Sequence, residues 1–573
     1  MSDLRGSALL GVHHDPGGGD NLNQSATADR GSAARTAADR CFSELEFTPP
    51  GWVSFDASQG RVLIMGPVSA VNEIVPGLDP RLRCVVLYED DGADPVTASP
   101  CEVHWACART VPRMSGYLGA FHVSAGGDPA NMLGGDSPAF DVVLDLHASP
   151  LLGGQEKPVI GYLASHGDGA LAQDLAAQLP EWVGVFDKPR YFRYRPDLCA
   201  HARRGLAGCS ACLQACATQA LRADGDGIAV DPYLCQGCGS CATVCPSGAI
   251  EYAVPPIGEW LNRARRALSA YRDAGGDPPR VLLHDQTTAD RLDTDPPADV
   301  LPVAVEEVGA WGMEAWLTLL AYGAREVILA APVDIPASEL AATRRQIGIA
   351  QAVLAGAGHA RARIQLIEPG ADWAGAIPDI PDVPVHSAHS AFAALGGKRD
   401  TLALALQDLL AGAAPDPIEL PGDAPFGRIQ VDRQACTLCM ACVSVCPSGA
   451  VIGGGSEPKL LFRESSCLQC GLCKTACPEN AITLQPRLDY EAFLHPKEIV
   501  LNEEAMAHCL SCGRPFAPQK LVQRMRDQLA GHWMYQDERA RRRLAMCEDC
   551  RTRDIFSDEA GLRVHRDDSQ ANG

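Results

Sequence analysis

Residues 436–447 read CTLCMACVSVCP. The spacing is C-x2-C-x2-C-x3-C-P, and it recurs without deviation at 235–246 (CQGCGSCATVCP) and 467–478 (CLQCGLCKTACP). Three identical spacings in one chain are hard to attribute to chance. A fourth run departs from the pattern. Nine residues separate Cys199 from Cys209, while Cys209, Cys212 and Cys216 keep the remaining intervals and Ala217 replaces the proline. It reads as the same motif with a loop inserted at 201–208. The runs come in pairs. Cys216 and Cys235 are 19 positions apart, Cys446 and Cys467 are 21, and each fourth cysteine opens a similar phrase: CATQAL, CPSGAI, CPSGAV and CPENAI.

This spacing is that of a [4Fe–4S] cluster site. Three thiolates on a tight loop can each reach one iron of a cubane. The fourth cysteine opens a helix, points away and serves another cluster, and the proline holds the turn. Each pair of runs, at roughly 195–254 and 429–486, resembles a two-cluster bacterial ferredoxin. The resemblance implies crossed ligation. One cluster would sit on Cys199, Cys209, Cys212 and Cys245, and another on Cys235, Cys238, Cys241 and Cys216. In the second module the sets would be Cys436, Cys439, Cys442 with Cys477, and Cys467, Cys470, Cys473 with Cys446. If Cys199 is not a ligand, the first site holds a [3Fe–4S] cluster instead.

Four further cysteines form two knuckles, Cys509-x2-Cys512 and Cys547-x2-Cys550. Paired knuckles favour a tetrahedral zinc held by four thiolates, redox-silent and structural. A rubredoxin-like iron site and an unmetallated lobe are the alternatives. Arg539, Arg541, Arg542, Arg543, Arg551 and Arg553 lie close by, as charge compensation for the thiolates or as a docking patch for an acidic partner. The remaining Cys41, Cys84, Cys101 and Cys107 match no ligand spacing, even with His104 between the last two. They read as ordinary buried cysteines.

The chain has 573 residues, 46% of them hydrophobic and 6% aromatic, which excludes a largely disordered chain. Lys plus Arg number 49 against 71 Asp plus Glu, so the formal charge is 49 − 71 = −22. Such a surface repels nucleic acid and anionic lipid and favours redox partners with basic docking faces. No apolar run reaches the length of a membrane span. Met1–Asp20 lacks a basic stretch followed by an apolar core, so no secretory signal is expected and the protein is placed in the reducing cytoplasm.

The organisation expected is multidomain α/β and α+β: two ferredoxin-like modules flank a small parallel-sheet α/β domain, with a zinc-ribbon-like end. The divisions are a disordered 1–40, an α/β domain of unknown role at 41–190, a module at 191–255, an α/β domain at 256–415, a module at 416–490, and a helical four-cysteine region at 491–573. In the first α/β domain strands are expected at 61–66, 84–88, 140–146 and 159–164, with a helix at 170–179. In the second, strands are expected at 281–284, 303–308, 326–330 and 363–367, with helices at 257–271, 313–322, 338–355 and 392–410. This alternation predicts a parallel sheet covered by helices. It loosely resembles the small α/β domain of hydrogenase-associated delta subunits. Those place a cysteine just after the third strand, where this chain has Ala331 and Pro332. No nucleotide loop is present: GAG at 356–358 is a helix end, and GGK at 396–398 lacks the rest of a Walker loop. His359, His386 and His389 read as surface or capping histidines.

FDKPRYF at 186–192, CAHAR at 199–203, CGLC at 470–473 and MCEDCR at 546–551 together resemble a family of large cytosolic 4Fe–4S ferredoxin-like proteins often encoded beside molybdenum formate dehydrogenase genes. The resemblance implies an electron-transfer or accessory role in formate or anaerobic respiratory metabolism and no defined reaction. Two other classes compete with a soluble electron carrier. One is an assembly factor for a molybdenum or tungsten oxidoreductase. The other is an enzyme subunit, against which stands the lack of any nucleophile, carboxylate pair or cofactor loop.

Overall fold

The computed structural model describes residues 22–43, 47–96, 98–108, 112–124, 139–152, 156–289, 296–297, 299–359, 363–368, 390, 392–410, 412 and 415–558. His386 and His389 lie outside the described residues.

The first element corrects the expectation of a disordered 1–40 over residues 22–40; residues 1–21 lie outside the described residues. A helix runs over Leu22–Ser43, and Ala34 and Ala38 are fully buried in a core shared with the helix Ile257–Asp273. Alanine costs a helix least, and its small side chain lets two helices approach closely.

Beyond this helix lies a five-stranded parallel sheet in the order Glu102–Cys107, Arg83–Glu89, Arg61–Pro67, Val142–Asp145, Tyr162–Ala164. Its central strands are buried throughout, as expected of a sheet covered on both faces. In chain order the strands run 3-2-1-4-5, so the doubly wound switch point falls between Arg61–Pro67 and Val142–Asp145. The chain's own groups fill that crevice. A Cβ on Gly66 would stand 2.8 Å from Leu146 Cβ. Asp145, wholly buried, pairs with His147 Nδ1 at 2.5 Å and accepts from the Tyr162 hydroxyl. On the other side of Arg61–Pro67, Ser69 N in the helix Val68–Ile74 donates to Asp91 Oδ2 at 3.0 Å.

The second sheet is also all parallel, in the order Val300–Ala304, Arg280–His284, Glu326–Ala330, Ile364–Ile367. Helices Met313–Ala321, Ala337–Gly356 and Lys398–Leu409 pack around it. Two boundaries move from expectation. The strand expected at 303–308 is Val300–Ala304, because the chain turns at Glu306 and enters the short helix Val308–Ala310. The last helix starts at Lys398 rather than 392, because Gly396 and Gly397 precede it and Gly397 N donates to Asp400 Oδ2 at 3.2 Å. The core of this domain also takes in Tyr490 and Phe493 of the helix Tyr490–Leu494. Tyr490 donates to Val353 O at 2.6 Å.

The two cysteine-rich segments share one plan. An outer antiparallel pair of strands encloses an inner hairpin and two short helices. In the first segment these are Phe192–Tyr194 with Ile250–Tyr252, and Leu221–Asp224 with Gly227–Val230. In the second they are Gly427–Val431 with Ile482–Leu488, and Val451–Gly453 with Lys459–Arg463. The C-terminal lobe, expected to be helical, combines the hairpin Met506–His508/Pro515–Pro518 with the helices Gln519–Leu529, Glu538–Arg543 and Glu548–Phe556. Among the described residues no helix is long and apolar enough to cross a membrane.

Candidate metal centres

The cysteine loops carry a signature in their backbones. In each regular motif the residues just before and just after the second cysteine are left-handed: Gly237 and Gly239, Leu438 and Met440, Gln469 and Gly471. The third residue after every fourth cysteine is also left-handed: Gln219, Gly248, Gly449 and Asn480. A side chain held in that region costs of order 1 kcal/mol or more, and such strain collects where function demands a particular backbone. Here it curls three cysteines around one centre.

The first motif reaches the same end by another route. The inserted residues form a hairpin, with Ala202–Arg203 paired to Leu206–Ala207 across left-handed Arg204 and Gly205. Gly208 N donates to His201 O at 2.7 Å and Cys209 N to Ala200 O at 2.8 Å. The excursion closes on itself and returns Cys209 to the neighbourhood of Cys199.

The sixteen thiols gather in four groups. Cys199, Cys209, Cys212 and Cys245 line one small apolar cavity. Cys436, Cys439, Cys442 and Cys477 line another. Around Cys241 stand Cys238, Cys235 and Cys216, and around Cys470 stand Cys467 and Cys446, with Cys473 beside all three. Each group joins three cysteines of one motif to the fourth of its companion.

These groups suit an iron–sulfur core chemically. Burial, reinforced by neighbouring thiols, pushes Cys212 and Cys442 up to about 12. Burial likewise holds Cys238 and Cys241 well above the ordinary thiol range. A thiolate in so dry a place needs a bound cation to stabilise it. Backbone donors already point at sulfur: Val451 N to Cys446 at 3.5 Å and Ala481 N to Cys477 at 3.3 Å. Gln469 Nε2 donates to Cys467 at 3.3 Å. N–H donors of this kind tune cluster potential.

The last four cysteines differ in scale. The sulfurs of Cys509, Cys512, Cys547 and Cys550 all lie within 4.8 Å of one another. Cys512 and Cys547 are 3.8 Å apart, the edge of a tetrahedron with metal–sulfur bonds of about 2.3 Å. This geometry suits a single ion. Burial opposes ionisation of Cys509, but N–H groups of Cys512, Cys547 and Ser511 outweigh it and bring the thiol down to about 6. The nearby arginines divide. Arg514 reaches Cys547 Sγ at 3.7 Å, whereas Arg539 and Arg543 bind Asp554 and Arg551 binds main-chain carbonyls. Arg514, which also pairs with Asp549, lay outside the cluster that the sequence brought forward.

Among the other residues singled out, Cys84 is buried with Cys101 packed against the same core, and Cys107 is exposed. His104 turns to Glu102 at 2.8 Å, on the opposite face of its strand from Cys101 and Cys107. Cys41 Sγ donates to Ala37 O within its helix. His359 Nε2 bonds Leu409 O at 2.9 Å.

Sequence reading missed the groups that tie the cysteine loops to their surroundings. Lys188 Nζ donates to Tyr233 O and Cys235 O, at 2.6 and 2.8 Å. Lys398 Nζ donates to Ala242 O and Thr243 O, at 2.8 and 2.6 Å. Glu339 lies buried beside Cys238. Nothing in the spacing of these residues signals such contacts, which arise from domain packing.

Residues 207–249 and 433–482 each match the 4Fe-4S dicluster domain. The second match spans all eight cysteines of its motif pair, and the first begins after Cys199. No curated protein matches the chain. The protein is thus a mixed α/β chain holding two 4Fe-4S ferredoxin domains and a C-terminal four-cysteine cluster. The two domains point to an iron–sulfur electron-transfer role.

Proposed function

We propose that the chain is a soluble, cytoplasmic four-cluster electron-transfer protein that links redox partners in formate or anaerobic respiratory metabolism. The observation that carries this reading is the gathering of each motif's first three cysteines with the fourth of its companion. The sets are Cys199, Cys209, Cys212, Cys245; Cys235, Cys238, Cys241, Cys216; Cys436, Cys439, Cys442, Cys477; and Cys467, Cys470, Cys473, Cys446. When bound, each cluster supplies reversible one-electron exchange. The residues supply thiolates, exclude water and aim N–H groups at sulfur. Cys509, Cys512, Cys547 and Cys550 hold one zinc that staples the C-terminal lobe. The division into α/β domains at 41–190 and 256–415, modules at 191–255 and 416–490, and a four-cysteine region at 491–573 goes with this proposal. The net charge of −22 favours partners with basic faces, so association weakens as salt rises.

Anaerobic reduction of the purified chain with a low-potential donor tests the reading. Reversible EPR signals from several clusters are expected, and Cys241→Ser removes one of them. A bound flavin or nucleotide after anaerobic purification, with no reversible cluster signal, would move the assignment to an enzyme.

A further inference from the structure

The two modules meet at a point that neither motif requires. Gly208, at the end of the inserted hairpin, lies against Leu472, between the second and third cysteines of its motif. A Cβ on Gly208 would stand 2.8 Å from Leu472 Cγ and 2.6 Å from Ala200 O. The next residue, Cys209, shares a cavity of about 210 Å³ with Cys470 of the other module. Cys470 is also among the thiols whose charge Cys209 feels.

Two adjacent residues hold this meeting in register. Lys398 and Arg399 open one helix of the second α/β domain. Lys398 grips the first module at Ala242 O and Thr243 O, between Cys241 and Cys245. Arg399 grips the second, donating to Pro425 O at 3.0 Å and to Ser465 O at 2.8 Å, two residues before Cys467. Its guanidinium lies over the rings of Phe426 and Phe493, at 5.0 and 5.3 Å, which holds its direction. One dipeptide thus clamps both modules.

We propose that the Gly208–Leu472 contact and the Lys398–Arg399 clamp align the two modules into a single line of four ligand sets. This rests on the cluster reading above. Within the first module Cys241 neighbours Cys212, and within the second Cys473 neighbours Cys442. The order is therefore the Cys436 set, the Cys467 set, the Cys199 set and the Cys235 set. The ends differ. Cys439 is exposed to solvent. At the other end Cys238 O lies 2.9 Å from the position of a Cβ on Gly309, and Gln236 Nε2 donates to Pro158 O at 2.6 Å. That end is enclosed by both α/β domains. An electron given up by one module is taken up by the other, with no proton moved and no bond broken.

Gly208, Lys398 and Arg399 are positioning residues, so the test needs a signature beyond stability. Wild type, Gly208→Val, Arg399→Met and Arg399→Lys are purified without oxygen, counted for iron, fully reduced and compared by EPR. Coupling within a module is common to all four. The wild type is expected to show added spin–spin broadening, lost in Gly208→Val and Arg399→Met at unchanged iron content and partly restored in Arg399→Lys. Identical spectra at equal iron content would overturn the alignment and leave the cluster reading intact. A wild type without iron would overturn both. If Gly208→Val loses iron, the two Arg399 variants decide, since that residue lies in neither motif.

Discussion

Ala200 O accepts a hydrogen bond from Cys209 N at 2.8 Å. Through that bond the chain leaves the first motif, makes a hairpin over His201–Gly208 and comes back in register. The longest departure from the regular spacing is thus spatially neutral. Replacing residues 201–208 by one glycine restores C-x2-C and is expected to leave the iron content unchanged. Cys199→Ser is expected to lower the iron count, by about one where the other three thiols keep a [3Fe–4S] core and by about four where the cluster is lost. An iron count unaffected by Cys199→Ser would remove that residue from the ligand set.

Gly239 and Gly471 occupy equivalent left-handed positions after the second cysteine, where Met440 stands in a third motif. Their surroundings differ. A Cβ on Gly471 would have its nearest neighbour at 3.9 Å, whereas one on Gly239 would overlap Ala310 Cα and Cβ. Gly471→Ala is expected to cost about 1 kcal/mol, the left-handed penalty alone. Gly239→Ala must also push the first module off the second α/β domain and should cost at least about twice as much. Thermal unfolding under anaerobic conditions, with iron counted before and after, compares the two.

Glu326 sits wholly buried at the start of a central strand. Burial raises its carboxyl to about 7, against the pull of Arg280 and of the Gln365 amide. The folded state therefore holds a proton that the unfolded state releases near 4.5. Between about 4.5 and 7 the unfolded state binds fewer protons, so the stability this group contributes is complete below that window and lost as pH rises through it. The loss is of order 3 kcal/mol. Hydrogen exchange on the strand Glu326–Ala330 from pH 5 to 8 should show the decline, and Glu326→Gln should flatten it.

The four-thiol lobe makes a separate prediction. Cys512→Ser is expected to release one zinc and unravel the hairpin and the last helix, because metal binding there is folding energy. The iron content should not change. Zinc and iron measured together on the variant check both halves, and parallel loss of the two metals would contradict an independent structural site.

How much of this was visible in the sequence depends on which force decided each element. The cysteine loops were legible because ligand spacing is local chemistry, and the strand at 326–330 because five apolar-rich residues lie between turn signals. The helix Leu22–Ser43 was not. Its Ser, Thr, Asp and Gly residues show no apolar period, and it is held by long-range contacts: Ala34, Ala38 and Phe42 in the shared core and Arg35 on the carbonyls of Pro296 and Pro297. The strand Glu102–Cys107 also went unread, since its alternating Glu102, His104 and Ala106 suit an edge of the sheet and resemble a polar loop. The closing of 201–208 into a hairpin rests on the turn at Arg204 and Gly205, an arginine being an uncommon left-handed residue. The Lys398–Arg399 clamp was beyond reach, because its partners are carbonyl oxygens more than 150 residues away for Lys398 and 66 for the Ser465 contact of Arg399.

The most direct trial is to count iron and acid-labile sulfide per chain on protein isolated without oxygen. Four cubanes require about 16 of each. A brown sample near that figure agrees with the account, and a colourless one with neither element contradicts it.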